Sequence, residues 1–205
     1  MEEIGRRCAS TSVFVNAHHS IGIRALLLFG THEQKQKWLP KLVTGEQLGA
    51  FALTEQEAGS DAANVQMQAR PTDDGAHFIL NGEKRYITNA AIAHVLTVMA
   101  RTPVPGSDKT AITAFLVTPD MPGFTILDAR MPKMGIRGTA TGRTIRVARR
   151  QGSKGEYPRT DGQRTESGAD RARFWPDYFR RVLYRRGQNV FAAGNRPREY
   201  AQAVQ

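Results

Sequence analysis

The sequence predicts an α+β chain: a short N-terminal helical segment, then an antiparallel β-sandwich or small barrel, then a tail of low order. Three observations carry this. Apolar residues recur at Val13, Ala17, Ile21, Ala25 and Leu28, steps of four and three that put one stripe on a helix. Beyond residue 48 the punctuation changes to Asp73-Asp74-Gly75, Asn81-Gly82, Pro105-Gly106 and Pro122-Gly123, bracketing short runs rich in β-branched and aromatic residues. After residue 148 Ile disappears, Leu is confined to Leu183, and 12 of 13 basic residues are Arg. Such a segment has too few apolar side chains to offset its conformational entropy.

Taken in order, the first helix spans 9–29, with Gly30 as its C-terminal cap. Thr31 and Gln34 have capping-box spacing, and Glu33 to Lys37 adds an i,i+4 pair, so a second helix begins at 31. Pro40 disfavours helix at Leu39 and sets its expected end there. The run 48–53 is too short and too apolar for a surface helix and reads as a strand. Further strands are expected at 76–80, 84–88, 95–100, 111–118 and 124–129, with Asn81-Gly82 the strongest hairpin turn. Strands without intervening helices indicate a sandwich or small barrel. The divisions are therefore 1–47, 48–148 and 149–205.

Composition narrows the function classes. Of the net charge of +10, residues 149–205 supply +7, with 13 basic against 6 acidic residues, so the basicity belongs to the tail. No uninterrupted apolar run approaches the ~20 residues that span a bilayer, so no membrane span is expected. The start Met1-Glu2-Glu3 is acidic and precedes no apolar leader, and Cys8 is the single cysteine. A reducing, cytoplasmic setting is the expectation.

Two clusters could carry chemistry. Ala52-Leu53-Thr54-Glu55-Gln56-Glu57-Ala58-Gly59-Ser60-Asp61 is a strand running into a turn with hydroxyls, a glycine and carboxylates. Gly59 permits close backbone approach, and Thr54 and Ser60 offer hydroxyls, so the turn suits a phosphate or flavin; equally it is a polar strand end with Asp61 capping the next segment. Asn81-Gly82-Glu83-Lys84-Arg85-Tyr86-Ile87-Thr88-Asn89 reads alone as a hairpin with an amphipathic return strand.

Together and in this order, the clusters resemble the acyl-CoA dehydrogenase family. Its first signature, small-aliphatic-Thr-Glu-x-x-x-Gly-Ser-Asp, lies over 52–61, and its second, Asn-Gly-x-Lys-x-aromatic-Ile-Thr-Asn, over 81–89. The likeness extends through Phe29-Gly30-Thr31, Gln34-Lys35-Gln36-Lys37-Trp38-Leu39-Pro40-Lys41-Leu42 and Lys133-Met134-Gly135-Ile136-Arg137-Gly138-Thr139. His18 to Gly22 and the Leu-Leu-Phe-Gly run look most like the very-long-chain branch. The resemblance covers about 2–147, the end of the family's N-terminal helical domain and its middle β-domain.

What the resemblance implies is an FAD enzyme that dehydrogenates acyl-CoA thioesters at the α,β bond in fatty-acid β-oxidation. Its electrons leave to an electron-transfer flavoprotein, and the full-length enzyme is a homo-oligomer. By the same resemblance Phe51, Leu53 and Thr54 contact the isoalloxazine. Gly59 and Ser60 meet the flavin phosphate side, Ser60 also the acyl-CoA, and Tyr86, Ile87 and Thr88 pack beside the reactive ring. The family's base is a Glu of the C-terminal helical domain, to which 148–205 shows no match, so an isolated chain is expected to be inactive. Glu55 and Glu57 lie in the cofactor loop and are read as turn residues, not as that base.

Gln56, Asn64 and Ala90 stand where the family usually has Pro, a small residue and Gly. The sharper departure is the Arg- and Gly-rich sequence from Arg149 onward, which suggests a frameshift near codon 148. A rival class is an Arg-rich nucleic-acid module, with Arg149-Arg150, Arg180-Arg181 and Arg185-Arg186 among Phe174, Trp175, Tyr178, Phe179 and Tyr184. No recognised nucleic-acid motif accompanies it, and nucleic acid is not the expected partner. His18 and His19 point about 100° apart on a helix, with no third ligand at metal spacing. Gly135, Gly138 and Gly142 follow neither dinucleotide nor P-loop spacing and read as a turn, and Ser10 and Ser12 lack catalytic neighbours.

Overall fold

The computed structural model describes residues 1–73, 77–104, 106–129 and 131–139, and residues 141–147 as backbone. The Arg-rich tail, its frameshift reading and its rival nucleic-acid module lie outside the described residues.

The N-terminal region is helical, in four α-helices: α1 (Glu2–Arg7), α2 (Ala9–Asn16), α3 (Arg24–Phe29) and α4 (His32–Thr44). A π-helical turn, Ala17–Gly22, joins α2 to α3 and changes the expected stripe. The buried positions are Ala17, Gly22, Ala25 and Leu26, while Ile21 and Leu28 are exposed. The reason is the π-turn itself, closed by Ile23 N–H donating to His18 O, which inserts one residue and moves the contact from i+4 to i+5. Gly22 then meets β1 (Gly49–Ala52) so closely that a Cβ would lie 2.6 Å from Gly49 O. By length and a mean hydropathy of 1.2 alone, the helical stretch Ala9–Phe29 is long and apolar enough to cross a membrane, although Arg24 interrupts its apolar run.

Helix α4 opens with the expected capping box, Thr31 Oγ1 accepting from Gln34 N–H and Gln34 Oε1 accepting from Thr31 N–H. It does not stop at Leu39 but runs through Pro40 and ends at Gly45, whose φ of 79° is left-handed. Burial of Leu42 with Leu26 and Val95 holds the turn beyond the proline. A proline ring removes one helical N–H donor, and this packing offsets the loss.

Strands β2 (Gln68–Pro71), β3 (Phe78–Thr88), β4 (Val95–Pro103), β5 (Thr110–Val117), β6 (Phe124–Ile126) and β7 (Thr141–Val147) complete a curled sheet. The order is β1-β4-β2-β3-β7-β6, with β5 also on β4. The α+β order is as expected, but the sheet is mixed rather than antiparallel throughout. β1 runs parallel to β4, pairing Gly49 with Val95 through Ala52 with Val98, because a long crossover, not a hairpin, separates the two. β2 also meets β4, at Arg101, so the chain leaving β1 returns as β2.

No hairpin turns at Asn81-Gly82. β3 is one strand of eleven residues that pairs with β2 over 78–81 and with β7 over 82–88. Gly82 is the bend where it changes partner: its φ is 151°, and a Cβ there would lie 2.9 Å from Met67 Cα. The glycine serves close backbone approach rather than a turn. The core between the sheet faces includes Ala52, Met67, Leu80, Leu96, Val98 and Val117.

Gly82→Ala is expected to cost about 2–3 kcal/mol in urea unfolding, since strained backbone and a backbone clash combine. Gly45→Ala, where a Cβ meets nothing within 4 Å, should cost about 1 kcal/mol from the left-handed φ alone. Equal losses at the two sites would contradict the close-approach account.

Candidate functional site

The site is built on the loop 53–67, which leaves β1 and returns into β2. Leu53 O accepts from Lys84 Nζ at 3.0 Å and Thr54 O from Arg85 N–H at 2.7 Å, tying the first foot of the loop to β3. At the second foot Glu55 Oε2 accepts from Gln66 N–H at 2.5 Å and Oε1 from Met67 N–H at 3.0 Å. The loop meets β3 in an ion pair of 2.6 Å between Glu55 Oε1 and Lys84 Nζ, with side chains 5% and 0% exposed. Arg101 fastens the same foot from β4, donating to Ala63 O at 2.7 Å and to Val65 O.

Between the feet, Glu55 N–H donates to Ala58 O and Asn64 Nδ2 to Glu57 O. Asp61 accepts from Ala63 N–H and caps a 3₁₀ turn, Ala62–Asn64. Gly59 and Ser60 stand exposed at the tip, and a Cβ on Gly59 would meet nothing. An open cleft of about 380 Å³ lies beside the ion pair, lined among others by Gln56, Glu57, Gln66, Glu83 and Arg85.

On β3, Lys84 and Ile87 face inward while Tyr86, with φ 59°, is half exposed. The left-handed residue shifts the alternation, so both 84 and 87 are buried although three apart. The Arg85 guanidinium lies 4.9 Å from the Tyr86 ring centroid, a cation–π contact. Ile87 is 2% exposed and sits in the core. Thr88 is half-buried and pairs with Thr141 on β7. Phe51, Leu53 and Thr54 are half-buried, and the Thr54–Arg85 backbone bond sets Thr54 beside Tyr86. The Thr54, Ser60 and Thr88 hydroxyls have no hydrogen-bond partner among the described residues and none is a buried unpaired atom.

The remaining candidates have structural roles. His18 bridges three elements: Nε2 meets Leu42 O at 2.9 Å and Nδ1 accepts from Gly49 N–H at 3.0 Å. Ser10 Oγ accepts from Gly138 N–H, and a Cβ on Gly138 would lie 2.9 Å from Ser10 Cβ, so the glycine-rich turn packs on α2. Asn89 donates to Phe14 O and ties the end of β3 to the same helix.

Against known proteins, the acyl-CoA dehydrogenase N-terminal domain matches residues 1–46 and the acyl-CoA dehydrogenase middle domain residues 50–146. The chain belongs to the acyl-CoA dehydrogenase family. The very long-chain specific acyl-CoA dehydrogenase of Macaca fascicularis mitochondria is 42% identical over 149 residues, 71% of this chain and 23% of that protein. Two solved structures share the architecture. An acyl-CoA dehydrogenase complexed with FAD from Bacillus anthracis has a TM-score of 0.62 at 41% identity, covering 67% of this chain and 22% of that one. Butyryl-CoA dehydrogenase from Megasphaera elsdenii has a TM-score of 0.65 at 37% identity, covering 72% and 37%. The chain thus spans less than two fifths of these family members' length.

Set within the family's middle domain, the Glu55–Lys84 pair is the residue relationship that sequence reasoning missed. One signal was present: Leu80, Gly82 and Lys84 share the inward parity of β3, and a lysine on a buried face needs a carboxylate. Burial pushes the Lys84 ammonium below its ordinary value, with Glu55 opposing the shift by hydrogen bond and charge. Between that lowered value and the ordinary one of about 10.4, the unfolded chain keeps a proton that the folded chain has released, so raising pH favours the fold. The urea midpoint of the wild type should therefore rise through this alkaline window relative to a Glu55→Gln/Lys84→Met variant. A parallel or falling difference would contradict the assignment.

Proposed function

We propose that this chain forms an FAD-facing part of an acyl-CoA dehydrogenase, an enzyme of α,β-dehydrogenation of acyl-CoA thioesters. In that enzyme electrons pass to an electron-transfer flavoprotein, and a second copy of the chain completes a homo-oligomer. The observation that carries this reading is the set of Thr54, Ser60 and Thr88, whose hydroxyls have no hydrogen-bond partner among the described residues, with Thr54 tied by its backbone beside the half-exposed Tyr86. The residues present fit a flavin. Phe51, Leu53 and Tyr86 offer apolar surface, Thr54 and Thr88 offer donors to a polar ring edge, and Gly59-Ser60 offers open backbone to a phosphate. When bound, the flavin supplies the redox chemistry, and the protein supplies position and field. A cytoplasmic setting belongs to the same proposal.

A base for the thioester α-proton must stand within hydrogen-bonding reach of it. Glu55 is committed to Lys84, Gln66 and Met67, which removes it from that role. Glu57 is exposed in the cofactor loop, set by its carbonyl bond from Asn64. Residues 1–205 on their own are accordingly read as inactive.

The test reconstitutes purified chain with FAD and adds a panel of acyl-CoA thioesters anaerobically. Expected are weak FAD retention, further weakened in Thr88→Val, and no flavin bleaching at enzyme-like rates. Stoichiometric fast bleaching would overturn the inactive reading, and FAD retention unchanged in both Thr54→Val and Thr88→Val would overturn the site.

A further inference from the structure

We infer that Glu55 and Lys84 are positioning residues for the cofactor: their buried pair joins both feet of the 53–67 loop to β3 and so sets where Thr54 and the Gly59-Ser60 tip stand. The inference rests on the flavin reading above and adds to it two residues that touch no ligand.

The geometry supplies the argument. One ammonium spans Leu53 O and Glu55 Oε1, and one carboxylate spans Gln66 N–H, Met67 N–H and that ammonium. Three backbone groups, one at the first foot and two at the second, therefore depend on two side chains 29 residues apart in sequence. Removing the pair takes one bond from the first foot and two from the second, whereas the Arg101 bonds to Ala63 O, Val65 O and Met67 O and the Arg85 bond to Thr54 O keep the chain folded locally. A buried ion pair is weak as a source of stability, since apolar replacements of similar volume are often neutral or better. Its value lies in geometry, because a buried pair with three further backbone bonds favours one arrangement. The tip itself has few restraints: Gly59 and Ser60 are exposed, so their height above β3 is fixed from the feet.

The test compares the full chain with Glu55→Gln/Lys84→Met and with Val117→Ala, a cavity variant in the core where β5 pairs with β4. Readouts are thermal melting and FAD binding followed by flavin fluorescence. The double variant should melt cooperatively yet bind FAD about tenfold more weakly or worse, as misplacement of site groups predicts. Val117→Ala should melt earlier and bind FAD as the wild type does. Equal FAD affinity in the wild type and the double variant overturns the inference and leaves the flavin reading intact. Equal weakening in both variants reduces the pair to a stability role and also overturns it. If the wild type binds no FAD, the flavin reading falls and the inference with it. Should the double variant not fold, Glu55→Asp, too short to reach Lys84 and both amides together, carries the same comparison.

Discussion

A lysine with no exposed surface and a carboxylate with almost none meet at 2.6 Å where three strands converge, and most of the site results from satisfying them. Desolvating two charges is tolerable only where further hydrogen bonds support the pair. Glu55 meets that demand by accepting from two successive amides, Gln66 and Met67, and Lys84 by donating to Leu53 O. The electrostatic requirement thus becomes a backbone constraint. The loop between β1 and β2 must leave and return at β3, and its hydroxyl-bearing residues have nowhere else to stand.

Gly82 is the steric counterpart of that constraint. β3 passes from β2 to β7 at this residue, and Met67 Cα presses where a side chain would be. The second foot of the loop therefore packs against the bend of the strand that carries Lys84, two residues on. From there β3 reaches Tyr86, whose left-handed backbone keeps its ring outside while Ile87 returns to the core. Packing, bend and ion pair converge within five residues, and the candidate flavin surface is their outer face.

Much of this was legible because it is local in sequence. The capping box at Thr31, the strand runs from 95 and 111 and the two signatures are contiguous patterns, and each formed as read or carried the family assignment. What was misread has a common cause, one residue type serving two physical needs. Asn81-Gly82 signals a turn when read locally, but the glycine is required by Met67, a contact from outside its own strand. The apolar stripe on 9–29 assumed 3.6 residues per turn, and the π-turn at Ala17–Gly22 altered the period to let Gly22 approach β1. The parallel pairing of β1 with β4 and the partnership of Glu55 with Lys84 are long-range, and only the inward parity of Lys84 announced the latter.

Native-state hydrogen exchange on the full chain tests the central constraint most directly, because it reads individual amides at both feet of the loop, two of which the pair holds. The amides of Gln66, Met67 and Arg85 should exchange only in the slow openings that also release the core of β4. Exchange of these three at the rate of the exposed turn at 106–108 would contradict a loop fixed from its feet.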